Sequence, residues 1–158
     1  MKAIISVCQT YRYVLMRGGS LSESMPSCVV VMLNPSTADG EQDDPTIRKL
    51  NRFTRDWGYS SYAVVNCYAF RSADPEQLDS AADPVGPDND FYLDIMARRP
   101  LIVVAWGKHA RPARVKAVHS ILTRYGSSLY CLKTNQDGSP QHPLYVPYDT
   151  VLKPWRYT

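Results

Sequence analysis

No stretch of the chain approaches the ~20 consecutive apolar residues that cross a bilayer, and Met1 to Val7 lacks the apolar core of a secretory signal. A soluble, cytoplasmic protein is therefore expected. Cysteine is sparse: Cys8, Cys28, Cys67 and Cys131 are dispersed, with no C-x-x-C pair, which argues against zinc, an iron–sulfur cluster or a disulfide framework. Three of the four lie in or beside apolar runs and should be buried thiols. The phosphate-cradling glycine loops, the G-x-S-x-G elbow and H-E-x-x-H are all missing, so common nucleotide, hydrolase and zinc-protease readings have no support. Net charge is also slight. A formal +3 does not by itself point to nucleic acid.

What is present suits one domain spanning 1–158: 158 residues, 44% of them hydrophobic, suffice for a single buried core. Tyr11 to Arg17 alternates like a half-buried strand and is punctuated by Gly18-Gly19, as in an N-terminal hairpin or edge. Continuous apolar runs at 28–33, 62–66, 101–105 and 128–132 read as strands buried on both faces. Between them lie helical patterns. One starts at Asp44-Pro45 and carries Ile47, Leu50, Phe53 and Trp57, a second covers about 88–98, and a basic one carries Val115, Val118, Ile121 and Leu122. From Lys133 to Thr158 a proline-rich loop is expected.

Alternating strands and helices imply an α/β fold, a mostly parallel central sheet with helices on both faces. Sites in such folds lie at the carboxyl ends of the strands. Here those ends carry Asn34-Pro35-Ser36, Asn66-Cys67-Tyr68, Trp106-Gly107-Lys108 and the loop to His142. Ordinary explanations exist for each: Asn-Pro is a common turn, an aspartate before Pro45 caps a helix, and Asn66 could serve backbone groups. His142 is different, because it stands among prolines in a loop with no core to fill. Basic residues gather in 108–116, either a phosphate-binding edge or a solvated helix face.

The ordered set Val29-Val30-Val31-Met32-Leu33-Asn34-Pro35-Ser36, Val64-Val65-Asn66, Val103-Val104-Ala105-Trp106-Gly107-Lys108 and His142-Pro143-Leu144 resembles the uracil-DNA glycosylase superfamily, with an Asn-Pro motif like that of its mismatch-specific branch. More closely, LNPSTAD, DDPTIR, VGPDND and HPLY resemble a bacterial and phage family of unknown function. The superfamily resemblance implies three α/β/α layers around a four-stranded sheet of order 2-1-3-4. It further implies Asn34 and His142 as catalytic residues, one orienting a water and the other stabilising the departing base. Asn66, Ser36 and Pro35 would contact the base. Asp39 and Asp43 are candidates for an acid or a water-positioning group. Lys108, Arg111 and Arg114 would hold DNA phosphate, and neither metal nor organic cofactor is implied.

Departures are also on record. Asparagine stands where the fastest branch has aspartate, and Ser36 stands where a tyrosine would exclude 5-substituted pyrimidines. Val146 occupies the place of a leucine wedge, and no aromatic is assigned to stack on the base. The resemblance thus implies a hydrolase cleaving the N-glycosidic bond of a pyrimidine in DNA, one bearing a 5-modification included. The alternatives are a nucleoside or nucleotide hydrolase or transferase, and a non-catalytic nucleic-acid or partner-binding module of the same fold.

Overall fold

The computed structural model describes residues 2–19, 26–36 and 43–158. Its strands are β1 (Lys2–Ile5), β2 (Arg12–Gly18), β3 (Cys28–Met32), β4 (Ser61–Asn66), β5 (Leu101–Val104), β6 (Leu129–Cys131) and β7 (Lys153–Trp155). Its helices are α1 (Pro45–Asp56), α2 (Gln77–Ser80), α3 (Asn89–Met96) and α4 (Pro112–Leu122). One sheet contains all seven strands in the order β1-β2-β4-β3-β5-β6-β7. The four apolar runs form its centre: β3 pairs parallel with β4 and with β5, and β5 pairs parallel with β6.

The expected four-stranded sheet is thus too narrow. Antiparallel pairing adds the β1–β2 hairpin along β4 on one flank and β7 along β6 on the other. The segment read as loop from 133 onward contains β7 and a 3-10 turn, Pro143–Tyr145. Lys153-Pro154-Trp155 gives no strand signal, because a proline cannot donate to a ladder. At the outer edge that loss is harmless.

Alternation along the central strands divides their side chains between two layers. Val29, Val31, Ala63, Val65, Ile102 and Val104 share a cluster with Leu93, Met96, Val118 and Leu122 of α3 and α4. Cys28, Val30, Tyr62, Val64 and Val103 share another with Ile47 and Leu50 of α1. A sheet covered on both faces needs apolar residues at every position, which is what Cys28-Val29-Val30-Val31-Met32 supplies. Cys28, Cys67 and Cys131 are buried in these layers as free thiols, while Cys8 is exposed in the first hairpin. Among the described residues, no helix is long and apolar enough to cross a membrane.

Helix α1 begins as the sequence suggests. Asp44 is its N-cap, accepting from the Ile47 N–H at 2.7 Å, and Pro45 opens the first turn with its φ already helical. The helix ends at Asp56, and Gly58, just past the C-cap Trp57, turns the chain with a φ of +86° that suits glycine.

Leu50 lies wholly inside the α1–sheet layer, whereas Leu144 is exposed. Leu50→Ala should cost about 2–5 kcal/mol by loss of burial plus a cavity, and Leu144→Ala should stay within about 0.5 kcal/mol. Urea-unfolding midpoints of the two variants check this ordering.

Candidate active site

At the carboxyl ends of β3 and β5 the chain leaves the sheet through Asn34-Pro35 and Trp106-Gly107, and a cavity of about 620 Å³ opens there. Main-chain bonds hold its walls. The Cys67 and Tyr68 N–H groups donate to Met32 and Leu33 carbonyls, and the Ser72 N–H donates to the Pro35 carbonyl at 2.9 Å, so the 67–72 segment follows the exit of β3. Gly107 turns with a φ of +76°, and its N–H donates to the Pro140 carbonyl at 2.8 Å, which brings the 140–142 segment across the opening. A Cβ on Gly107 would meet only the Cβ of His142, at 3.8 Å, so backbone conformation rather than space calls for glycine there.

Asn34 and His142, 108 positions apart, both line this cavity. The Asn34 side-chain Nδ2 donates to the carbonyls of Ser72 (2.9 Å), Pro35 (3.1 Å) and, weakly, Phe70 (3.5 Å). Carbonyls can only accept, so this network sets which end of the amide is nitrogen and leaves Oδ1 as the remaining hydrogen-bonding atom. His142 is half-buried. Its Nδ1 accepts from the Leu144 N–H at 3.2 Å, capping the 3-10 turn, so the neutral ring carries its proton on Nε2. Burial holds its pKa below the usual histidine value; the Asp44 carboxylate opposes that shift and the Lys49 ammonium adds to it. The cavity thus has an amide oxygen that accepts and an imidazole N–H that donates.

Ser36 lines the same cavity, and its hydroxyl donates to Asp44 Oδ2 at 2.8 Å. One carboxylate therefore joins the helix cap to the cavity wall. Lys108, exposed, also lines the cavity, as does His109. Pro35 is buried, and its carbonyl ties down Ser72 and Asn34 without lining the opening.

Other expected site residues lie elsewhere. Asn66, 1% exposed, pairs with Met32 across β3 and β4 and is not among the cavity's lining residues; its carbonyl accepts from Asn89 Nδ2 at 3.0 Å. Asp43 accepts from Arg17 Nε at 2.8 Å and from Asn51 Nδ2 at 2.8 Å, so its carboxylate braces α1 against β2. Arg114, on the buried side of α4, donates to the Cys67 carbonyl and to Asp90, each at 2.6 Å. Arg111 is paired with Asp79. Both arginines thus meet carboxylates, Arg111 on the surface and Arg114 in a largely buried position, while Lys108 and Lys116 of the same string are exposed. Asp39 lies outside the described residues. Val146, in the place of the wedge, is 0% exposed and packs with Phe53 and Leu132.

Several residues in or beside the cavity carry no clear signal in the sequence. Asp44 carries a cap signal that hides its second bond to Ser36. Gln141 precedes His142 and lines the cavity with a buried Oε1 that has no partner among the described residues. Tyr145, 72% exposed at the rim, sits 5.9 Å from the His142 ring. Its position three residues after the histidine was the available signal. Among the described residues, no three His, Cys, Asp or Glu side chains converge as metal ligands would.

The chain belongs to the family described as a protein of unknown function, DUF1643, whose model matches residues 12–144 and so includes Asn34, Ser36 and His142. No curated protein and no solved structure matches it.

A histidine whose folded pKa is depressed binds its proton more readily in the unfolded chain. Its contribution to stability is therefore complete above the unfolded value of about 6.5 and declines as pH falls toward the folded value. Unfolding free energies measured from pH 7.5 to 5 should decline below about 6.5, and His142→Gln should flatten that limb. An identical decline in both proteins would show that His142 is not held neutral.

Proposed function

We propose that the protein hydrolyses an N-glycosidic bond, releasing a pyrimidine base from DNA. The observation that carries this reading is that Asn34 and His142 line one cavity, the first with its amide nitrogen already bonded and the second with its Nδ1 already accepting. The cavity's size falls in the ~300–1,000 Å³ range of small-ligand sites, enough to take a base turned out of a strand. In the reaction the bond from C1′ to the base nitrogen breaks, its electron pair leaving with the base. Water oxygen bonds to C1′, and the water's proton ends on the released base. Positive charge grows on the sugar and negative charge on the base oxygen.

The His142 Nε2–H would donate to that oxygen as charge develops on it. Its neutral form suits the role, since it stabilises the anion without being a strong enough acid to protonate it early. Asn34 cannot remove a proton. With its nitrogen held by three carbonyls, its oxygen is oriented to accept from the attacking water. Ser36 stands in the wall with its hydroxyl turned to Asp44, a small side chain that leaves space for a substituent at carbon 5. Asn66 has no part in this scheme, because it does not line the cavity.

The test is mass spectrometry of bases released from modified oligonucleotides, with free nucleosides as a parallel arm. Release from oligonucleotides is expected, and His142→Ala should lower its rate about 10²–10³-fold, as loss of an oxyanion donor does. Ser36→Tyr should slow 5-substituted pyrimidines more than uracil, by an amount near the ~10–200-fold of a methyl-sized difference. Release only from free nucleosides would replace DNA by a nucleoside substrate. No release from either arm would remove the hydrolase reading.

A further inference from the structure

Positive charge is distributed unequally over the two helical layers. On α4 and its neighbours Arg111, Arg114 and Arg124 each meet a carboxylate, Asp79, Asp90 and Asp94 respectively. Helix α1 carries Arg48, Lys49, Arg52 and Arg55 with Asp56 as its lone acid. Arg48, Arg52 and Arg55 are exposed at i, i+4 and i+7, which puts them along one side of the helix over about 10 Å. The ion pair found on this face among the described residues, Arg52–Asp56, is 3.7 Å long and solvent-exposed, a weak interaction. Arg48 donates to a neutral acceptor, the Asp43 carbonyl.

Aromatic rings interleave with these cations. Tyr148, 46% exposed, lies under the Arg52 guanidinium at 4.8 Å and the Lys49 ammonium at 5.0 Å. Lys49 Nζ also donates to the Leu144 carbonyl at 2.9 Å, in the turn that follows His142. Tyr145 of that turn lies on the cavity rim. Lys49 and Tyr148 therefore connect α1 to the turn that carries Tyr145 at the cavity mouth.

We infer that this ridge, Arg48, Arg52 and Arg55 with Tyr148 and Tyr145, binds single-stranded DNA beside the nucleotide that enters the cavity. The inference rests on reading the cavity as a base pocket. Arginines hold phosphate, and exposed tyrosines offer stacking faces that only an unpaired strand can use. A duplex has its bases stacked already and gains nothing from Tyr148, and an acidic protein surface would use the cations but not the rings.

Fluorescence anisotropy of a labelled oligothymidylate, a duplex and heparin tests this. Two charge-matched variants are compared, Arg48→Gln/Arg52→Gln/Arg55→Gln on α1 and Arg98→Gln/Lys116→Gln/Arg124→Gln on the α3–α4 layer. The α1 variant should weaken single-strand binding tenfold or more and lessen the salt slope by about 2, as loss of three phosphate contacts does. The other should change affinity less than about threefold, against a single-strand phosphate term of ~0.7 per lost contact. Tyr148→Ala should weaken the strand and leave heparin unchanged. Equal loss in both triple variants, or duplex or heparin binding as tight as the strand, would overturn the proposal. Because binding is read without turnover, α1-dependent binding with no base release would remove the glycosidic chemistry and keep the ridge. Base release unaffected by the α1 variant would do the reverse.

Discussion

The main-chain ladder of β3 is the constraint on which the rest depends. Every residue of this strand is buried, so each N–H and C=O must find a partner within the sheet. Parallel pairing with β4 and β5 satisfies them and continues past the strand ends, where the Cys67 N–H donates to Met32 and the Ala105 N–H to Val31, each at 2.8 Å. Parallel neighbours end on the same side. The exits of β3 and β5 therefore open together, and Asn34 and Trp106-Gly107 come to line one cavity.

From that exit a second set of bonds builds the chemistry. Asn34 Nδ2 gathers the carbonyls of Pro35, Phe70 and Ser72, which binds the long connection after β4 to the exit of β3. Gly107 draws in Pro140 and thereby His142. Each group that acts in the proposed reaction is oriented by a bond made to its other end. For Asn34 that end is nitrogen, and for His142 it is Nδ1. Such fixed dipoles need little rearrangement when charge develops, which is where most electrostatic stabilisation in active sites comes from.

Much of this was legible in the sequence where periodicity and chemistry coincide. Four apolar runs became β3, β4, β5 and β6, and Asp44-Pro45 opened α1. The edges were not legible, because short strands such as Lys153–Trp155 take their pairing from a neighbour rather than from their own pattern. Within the site, Asn34, Ser36 and His142 were read from position at strand ends and in a proline-bounded loop. Asn66 was misplaced for an instructive reason: a strand's last residue can be buried in the layer beneath while the next strand's exit forms the wall. In the basic string at 108–116 linear charge density does not show partners, and Arg111 and Arg114 meet Asp79 and Asp90 from distant segments.

Two carboxylates before α1 divide the labour. Asp43 faces Arg17 and Asn51 in the α1–sheet layer, while Asp44 joins the helix cap to Ser36 and lies near His142. In the proposed reaction His142 stands neutral with its proton on Nε2 and donates it as a hydrogen bond to the departing base. Long-range proton–nitrogen NMR at neutral pH reads both ring nitrogens directly. A neutral Nε2–H tautomer is expected, with an Nε2 signal that moves when a pyrimidine base and an abasic oligonucleotide are added together. A charged ring, an Nδ1–H tautomer, or an Nε2 signal indifferent to that mixture would contradict it.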